Sequence, residues 1–426
     1  MTQILHDFKS FLENSPSSWH ALEEIGNRLA IKGFIPLTEE EKWDLSLGKS
    51  YFVEREGSLC AFTLPKEKPR AATIIASHTD SPGLKLKPQP FFKKDNMLML
   101  GAEIYGAPLL SSWMNRDLGI AGRVVIMNES RDVEERLVFI DDAPLTIPQL
   151  AIHLDREVNE KGLLLDKQEH LAAIASITDE MRENYLEKLL LLRLSFKTLL
   201  GFDLFLTPLE SPHFMGPKGE MLSSYRLDNL TSVHATTVAL QATKAPLKST
   251  LQMGIFYDHE EIGSKSREGA ASPFLTDVLQ RICHLLKMDV EEYIRLKTKS
   301  LCVSCDVTHA YNPNYPKKYD ENHKNFLGKG VVVKVNADQK YASNAHSVAR
   351  IVSLAKALRL DLQHHASRSD ISSGSTVGPI FSSMSGILTV DIGCALLSMH
   401  SIREMISCQD HLDLCKLLTS VLEEEV

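Results

Sequence analysis

The sequence has no long apolar run. Its longest, Leu186 to Leu194, is broken by Lys188 and Arg193, whereas a membrane-crossing helix needs roughly 20 apolar residues, so no membrane partner is expected. There is no basic surplus either: 47 Lys and Arg stand against 55 Asp and Glu, a net charge of -8. Nucleic-acid binding relies on cations against phosphate, so nucleic acid is not an expected partner. A local basic pocket is still compatible with an acidic chain. Cysteine is sparse, with seven residues, an odd number, scattered along the chain. That fits a reducing, cytoplasmic setting better than a disulfide framework. Met1 to Ser10 show no basic start followed by an apolar core, so no secretion signal is expected. Internal repeats and low-complexity segments are also missing.

What remains is an ordinary globular composition, 43% hydrophobic and 24% charged over 426 residues, enough for two or three domains with a sizeable core. Ile4, Leu5, Phe8, Phe11 and Leu12 follow helical spacing. A second helix is expected from a Ser17 or Ser18 cap to Gly33, with Leu22, Ile25 and Leu29 inward. Strands are expected at Tyr51–Glu54, Leu59–Leu64 and Ala71–Ser77, the last a continuous apolar run suited to burial on both faces. From about Pro90 to Pro217 the texture is strand-rich (Met97–Leu100, Ile120–Met127, Arg136–Ile140), with one charged helix near Thr178–Leu194. After Tyr225 helices (229–243, 274–286, 344–358, 409–422) alternate with strands (250–257, 301–305, 331–335, 387–392). The reading is an α/β fold with a mostly parallel central sheet flanked by helices, formed by 1–88 and 222–426, and an inserted, mainly β domain at 89–221.

Five short motifs place metal-competent or proton-transferring residues at or just beyond strand ends or in an adjoining loop, where sites form in open α/β sheets. His78-Thr79-Asp80-Ser81-Pro82-Gly83 offers an imidazole for a metal and a carboxylate to fix its ring. Alone it is equally a polar turn. Arg226-Leu227-Asp228-Asn229 offers Asp228, which alone reads as a helix cap. Asp258-His259-Glu260-Glu261 follows an apolar strand and ends at Gly263; if one Glu binds a metal, its neighbour can act as base on a water. Asp306 leaves the strand ending at Cys305. His400 lies in Ser398-Met399-His400-Ser401, weak by itself among 16 His; His364 and His365, by contrast, are expected on the surface. Cys302 and Cys305 do not make a zinc ribbon, because no second Cys pair accompanies them. Two His and three acids are too many ligands for one catalytic zinc with an open position. They suit two ions that share a carboxylate, zinc or else cobalt or manganese.

In this order, the segments HTDSPG, WMNRDLGIAGRV, YRLDNL, DHEEIGS, CDVTHAYNPN, KVNADQKYA and SGSTVGP resemble the aspartyl aminopeptidase family of dinuclear zinc exopeptidases, over nearly the whole chain. The resemblance implies a fold of the zinc exopeptidase type and a metal-dependent aminopeptidase that removes single N-terminal residues, Asp or Glu among them, from short peptides. It places one zinc on His78 and Asp306 and another on Glu261 and His400, with Asp228 bridging. Glu260 becomes the general base and Asp80 the residue that orients His78. Substrate contacts are expected from His309, Lys334 and Tyr341, and from His153 reaching a neighbouring subunit's site. The insert becomes a dimerisation domain, the assembly a homo-oligomer, a dodecamer built from dimers, and the Asp228–Asn229 bond cis. Two alternatives are a related two-zinc peptidase or deacylase with neutral preference and a non-catalytic peptide-binding shell.

Overall fold

The structure is a computed structural model that describes residues 3–178, 184–243 and 246–425. Four apolar segments, Thr250–Tyr257, Ala71–His78, Leu301–Cys305 and Leu388–Gly393, lie side by side and parallel. Every residue of the first three is buried, as strands covered on both faces require. Ser58–Thr63, Ser50–Arg55 and Ile35–Leu37 extend the sheet on one side, and Val331–Lys334 and Leu362–His365 on the other. Antiparallel joints at Thr250–Tyr257 with Ser58–Thr63 and at Leu388–Gly393 with Val331–Lys334 make this nine-stranded sheet mixed around a parallel centre.

Helices cover both faces. Gln3–Glu13, Ser18–Ile31, Leu227–Ala242, Ala345–Leu358 and Cys408–Glu423 feed one core, which includes Phe8, Leu22, Leu230, Ile351 and Leu414. Phe274–Leu285, Val290–Lys299 and Val377–Ser385 feed the other, which includes Phe274, Leu296 and Phe381. Each fully buried Leu or Phe contributes about 1.5–3 kcal/mol relative to an exposed one. Local chemistry starts the helices where the sequence indicates. The Ser17 hydroxyl accepts the His20 amide, and Asn344 forms a capping box with Ser347. Val290–Lys299, mostly polar, and Val377–Ser385, rich in Gly, Pro and Ser, carry no strong apolar period and are not expected from sequence.

The strand-rich segment folds as a six-stranded antiparallel sheet in the order Val133–Leu145, Leu118–Met127, Thr198–Pro208, Gly83–Lys94, Met97–Tyr105, Ala173–Ile177. It has its own core around Leu84, Leu100, Trp113, Ile120 and Leu204. Of the expected helix at 178–194 the structure shows Tyr185–Leu191, with 179–183 outside the described residues. A small third sheet, His213–Met215, Met221–Ser224, Glu404–Ser407, Ala395–Leu397 and Thr308–His309, lies against the ends of the main strands. Among the described residues, no helix is long and apolar enough to cross a membrane.

Candidate metal centre

Three of the four central strands deliver acids or an imidazole at or just beyond their ends. Ala71–His78 ends on His78. Thr250–Tyr257 runs into a tight turn, Glu260–Ile262, opened by His259 and closed by Gly263, both in the left-handed region. Leu301–Cys305 releases Asp306. Gly393 lets it leave, since a Cβ there would overlap the Asp306 carbonyl oxygen. Asp228 sits at the start of Leu227–Ala242, with non-helical backbone at Asp228 and Asn229 and a cis bond between them. Arg226 and His400, neither a glycine, are also left-handed, with φ of 65° and 66°. Such backbone persists where surrounding structure over-determines it, often at functional sites.

These residues converge. His78 Nε2 lies 3.4 Å from Asp228 Oδ1 and 3.6 Å from Asp306 Oδ1. His400 Nε2 lies 3.4 Å from Asp228 Oδ2 and 3.5 Å from Glu261 Oε2. Asp228 thus gives one oxygen to each of two three-ligand groups. Direct hydrogen bonds would bring such atoms to about 2.7–3.2 Å. A tetrahedron of ligands about 2.0–2.2 Å from a zinc has edges of roughly 3.3 Å, closer to what is seen. Asp228 Oδ1 is also buried without a hydrogen-bond partner, a costly state for a carboxylate unless a cation satisfies it. The donor set, imidazole nitrogen and carboxylate oxygen without thiolate, therefore fits zinc.

A second layer fixes these donors. His78 Nδ1 bonds the Asp80 backbone carbonyl at 3.1 Å, and the Asp80 carboxylate Oδ1 stands 3.3 Å from the same nitrogen. Asp80 in turn accepts the Glu260 and Glu261 amides, both at 3.1 Å, and the Tyr105 hydroxyl at 2.8 Å. Glu404 accepts the Asp228 amide at 2.9 Å and the His400 amide at 2.7 Å. The Asn229 side chain donates to the Cys305 carbonyl at 2.9 Å. Sequence reasoning does not find Tyr105 and Glu404. Glu404 opens an apolar strand, Glu404–Ser407, and a buried acid at a strand start is the only signal it leaves.

The electrostatics are those of crowded carboxylates. Burial pushes Glu260 up to about 8, with Asp306, Asp80 and Asp228 adding to it. Burial and the charges of Asp228 and Glu260 raise Glu261 well above the usual range. Burial lowers His78, but Asp228, Asp306 and Asp80 outweigh it and hold the imidazole well above its ordinary value. Negative charge is in excess at this site, which divalent cations would balance.

The group lines a cavity of about 210 Å³ together with His309, Lys334 and Tyr341. Lys334 is 1% exposed, so it is not a solvated lysine at a strand edge. Its Nζ donates to the Val307 carbonyl at 2.9 Å and approaches Asp306 Oδ2 at 3.4 Å. A second cavity of about 270 Å³ shares His309 and Tyr341. His365 lines it, and this corrects the expectation of a surface residue: it is buried, bonded to the Asn325 amide at 2.8 Å. Polar LQHH alternation hides the fact that its strand is an edge of the main sheet beside this cavity. His153 is not in either cavity. It lies on an exposed turn beside exposed Leu150, Ile152 and Leu154.

An α/β sheet that gathers imidazoles and carboxylates at its strand ends is built as a metal-dependent enzyme is. Residues 11–421 match the family described as aminopeptidase I zinc metalloprotease, M18. The chain is 40% identical over 423 residues to a probable M18 family aminopeptidase 2 of Streptomyces avermitilis (98% of this chain, 97% of the relative) and 36% identical over 423 residues to one of Borreliella burgdorferi (98% and 97%). Solved structures with the same fold include Ape4 in a complex with Nbr1 (TM-score 0.94, 34% identity, 99% of this chain and 85% of that one) and the S. cerevisiae mApe1 dodecamer (TM-score 0.83, 25% identity, 99% and 98%). This chain belongs to the M18 family of zinc aminopeptidases, hydrolases that act on N-terminal residues.

Proposed function

We propose that the enzyme holds two zinc ions, one on His78, Asp306 and Asp228 and one on His400, Glu261 and Asp228, and that Glu260 is its general base. The observation that carries this reading is the Asp228 carboxylate, turned with one oxygen toward each histidine. Ions bound there would polarise the scissile carbonyl and ease ionisation of the attacking water; cobalt or manganese can substitute. Glu260 takes a proton from that water and hands it to the leaving amine. Asp80 keeps the His78 ring aligned. His309 and Tyr341, at the mouth between the two cavities, contact the substrate and steady the developing oxyanion.

Acidic N-terminal residues are the preferred substrates in this reading. Lys334 donates to Val307 and Asp306 and lines the cavity, so its charge is available to a substrate carboxylate. The antiparallel sheet of the 89–221 insert serves as dimerisation domain, and dimers assemble into a dodecamer, a reading supported by the likeness to the mApe1 dodecamer. The exposed turn at His153 then meets a neighbour's site. Unpaired, buried cysteines support a reducing, cytoplasmic setting.

The test is hydrolysis of aminoacyl p-nitroanilides and short peptides by zinc-loaded enzyme and by Glu260→Gln. Release from Asp and Glu substrates, reduced by at least ~10²-fold in the variant, supports the reading; near-normal turnover in Glu260→Gln removes the base. An N-acetylated peptide should be inert, and its cleavage would favour a deacylase.

A further inference from the structure

Farther along Leu227–Ala242 from Asp228, the helices Gln3–Glu13, Leu227–Ala242 and Cys408–Glu423 meet around a second cluster. His234, His411 and Cys415 bring one nitrogen or sulfur each within 4.8 Å of one another. His234 and His411 are 0% exposed and Cys415 is 3% exposed. His234 Nδ1 lies 3.0 Å from His411 Nε2, and His411 Nε2 lies 3.6 Å from Cys415 Sγ. Ligands at about 2.0–2.1 Å for nitrogen and about 2.3 Å for sulfur would sit roughly 3.3 and 3.5 Å apart around one tetrahedral ion, so the sulfur distance fits as it stands, whereas the two nitrogens, now at hydrogen-bonding distance, would part by about 0.3 Å.

We propose that His234, His411 and Cys415 form a separate, thiolate-containing zinc site that ties Leu227–Ala242 to Cys408–Glu423 beneath the N-terminal helix. The tautomers favour it. The Asp7 carboxylate, itself anchored by Arg28 at 2.7 Å, faces His234 Nε2 at 2.9 Å. That fixes the proton on Nε2 and leaves the Nδ1 lone pair aimed into the cluster, the carboxylate–histidine arrangement that supports metal ligands. Burial keeps both imidazoles below their ordinary pKa, so both offer a lone pair. As a plain hydrogen-bonded pair the cluster leaves the thiol with only a long contact, 3.6 Å to His411 Nε2. Phe8 stacks on His411 at 4.0 Å, so the first helix closes the site and the ion enters as the chain folds. On binding, the Cys415 thiol loses its proton to solvent and the imidazoles bind neutral.

The test is to produce the protein in cobalt-supplemented minimal medium, so that the ion is present during folding, and to record absorption and metal content. The M18 centre has no thiolate, so a near-ultraviolet thiolate-to-cobalt charge-transfer band reports this cluster alone. The expected result is such a band, retained in Glu261→Gln and lost in both Cys415→Ser and His411→Gln, with one metal equivalent fewer in each of the latter two. No band in the wild-type protein, or a band that survives Cys415→Ser, overturns the proposal. Because the wild-type spectrum decides the first point, poor folding of a variant does not rescue it.

Discussion

Glu404 accepts the backbone amide of Asp228 through Oε2 at 2.9 Å, and its other oxygen accepts the His400 amide at 2.7 Å. One buried carboxylate therefore sets the backbone of two proposed ligands that are distant in the chain. Glu404→Gln replaces one of the two acceptors with an NH2 group that faces an N–H donor. Zinc affinity is expected to fall by about 10–100-fold, the usual cost of removing a supporting contact. Titration against a competing chelator checks it, and unchanged affinity would mean that Asp228 and His400 hold their places without Glu404.

Lys334→Leu has two expected effects, because Lys334 lines the cavity and also touches Asp306. All substrates lose activity as Asp306 loses its neighbour. Asp and Glu substrates lose about tenfold more in kcat/KM than Leu substrates, the value of roughly 1.4 kcal/mol for one charge-assisted contact. Parallel losses across the panel would assign Lys334 to Asp306 alone.

The contrast between Lys334 and His78 shows what was legible in the sequence. AATIIAS and TLQMGIFY read as buried strands because all residues but Gln252 are apolar or small, and the break in each run marks where a side chain can face a site. Hence His78, Asp306 and the Glu260–Glu261 pair stand out. The cluster also needs contacts that no local pattern encodes. Tyr105 reaches Asp80 from the insert's sheet, and Glu404 reaches Asp228 across 176 positions. The burial of Lys334 and His365 depends on which strands become neighbours, and an alternating polar segment at a sheet edge looks the same whether solvent or a cavity lies beside it.

Acid should destabilise the fold through neutral buried histidines. Burial, with help from the Arg226 charge, lowers His20 to about 4, and burial lowers His365 to about 4. An unfolded chain takes up these protons near 6.5, whereas the folded chain refuses them until about 4. Their stabilisation is thus complete above 6.5 and declines as pH falls toward 4. For His20 the fall from 6.5 to about 4 corresponds to at most about 3.4 kcal/mol. Urea midpoints at pH 7.5 and 4.5 should differ less in His20→Gln than in wild type. An equal difference would mean that His20 titrates normally in the folded protein. Asp7, lowered to about 2 chiefly by its bond to His234, acts below this window, since its contribution is present above about 3.8 and is lost only under it.

Asp80 carries the last prediction. Its oxygens take the Glu260 and Glu261 amides and the Tyr105 hydroxyl, and one faces His78 Nδ1. It therefore aligns a proposed ligand and the turn that carries both the proposed base and another ligand. Asp80→Asn keeps the size but turns one acceptor into a donor facing an N–H or the tyrosine hydroxyl. Both kcat and metal affinity should fall, the latter by about 10–100-fold. Tyr105→Phe, which removes one of these bonds and leaves the charge, should cost less than Asp80→Asn. Side-by-side kcat values at saturating zinc, with zinc affinity measured separately, separate the two roles. If Asp80→Asn lowers affinity but not kcat at saturating metal, Asp80 serves His78 alone and the turn at Glu260 holds without it.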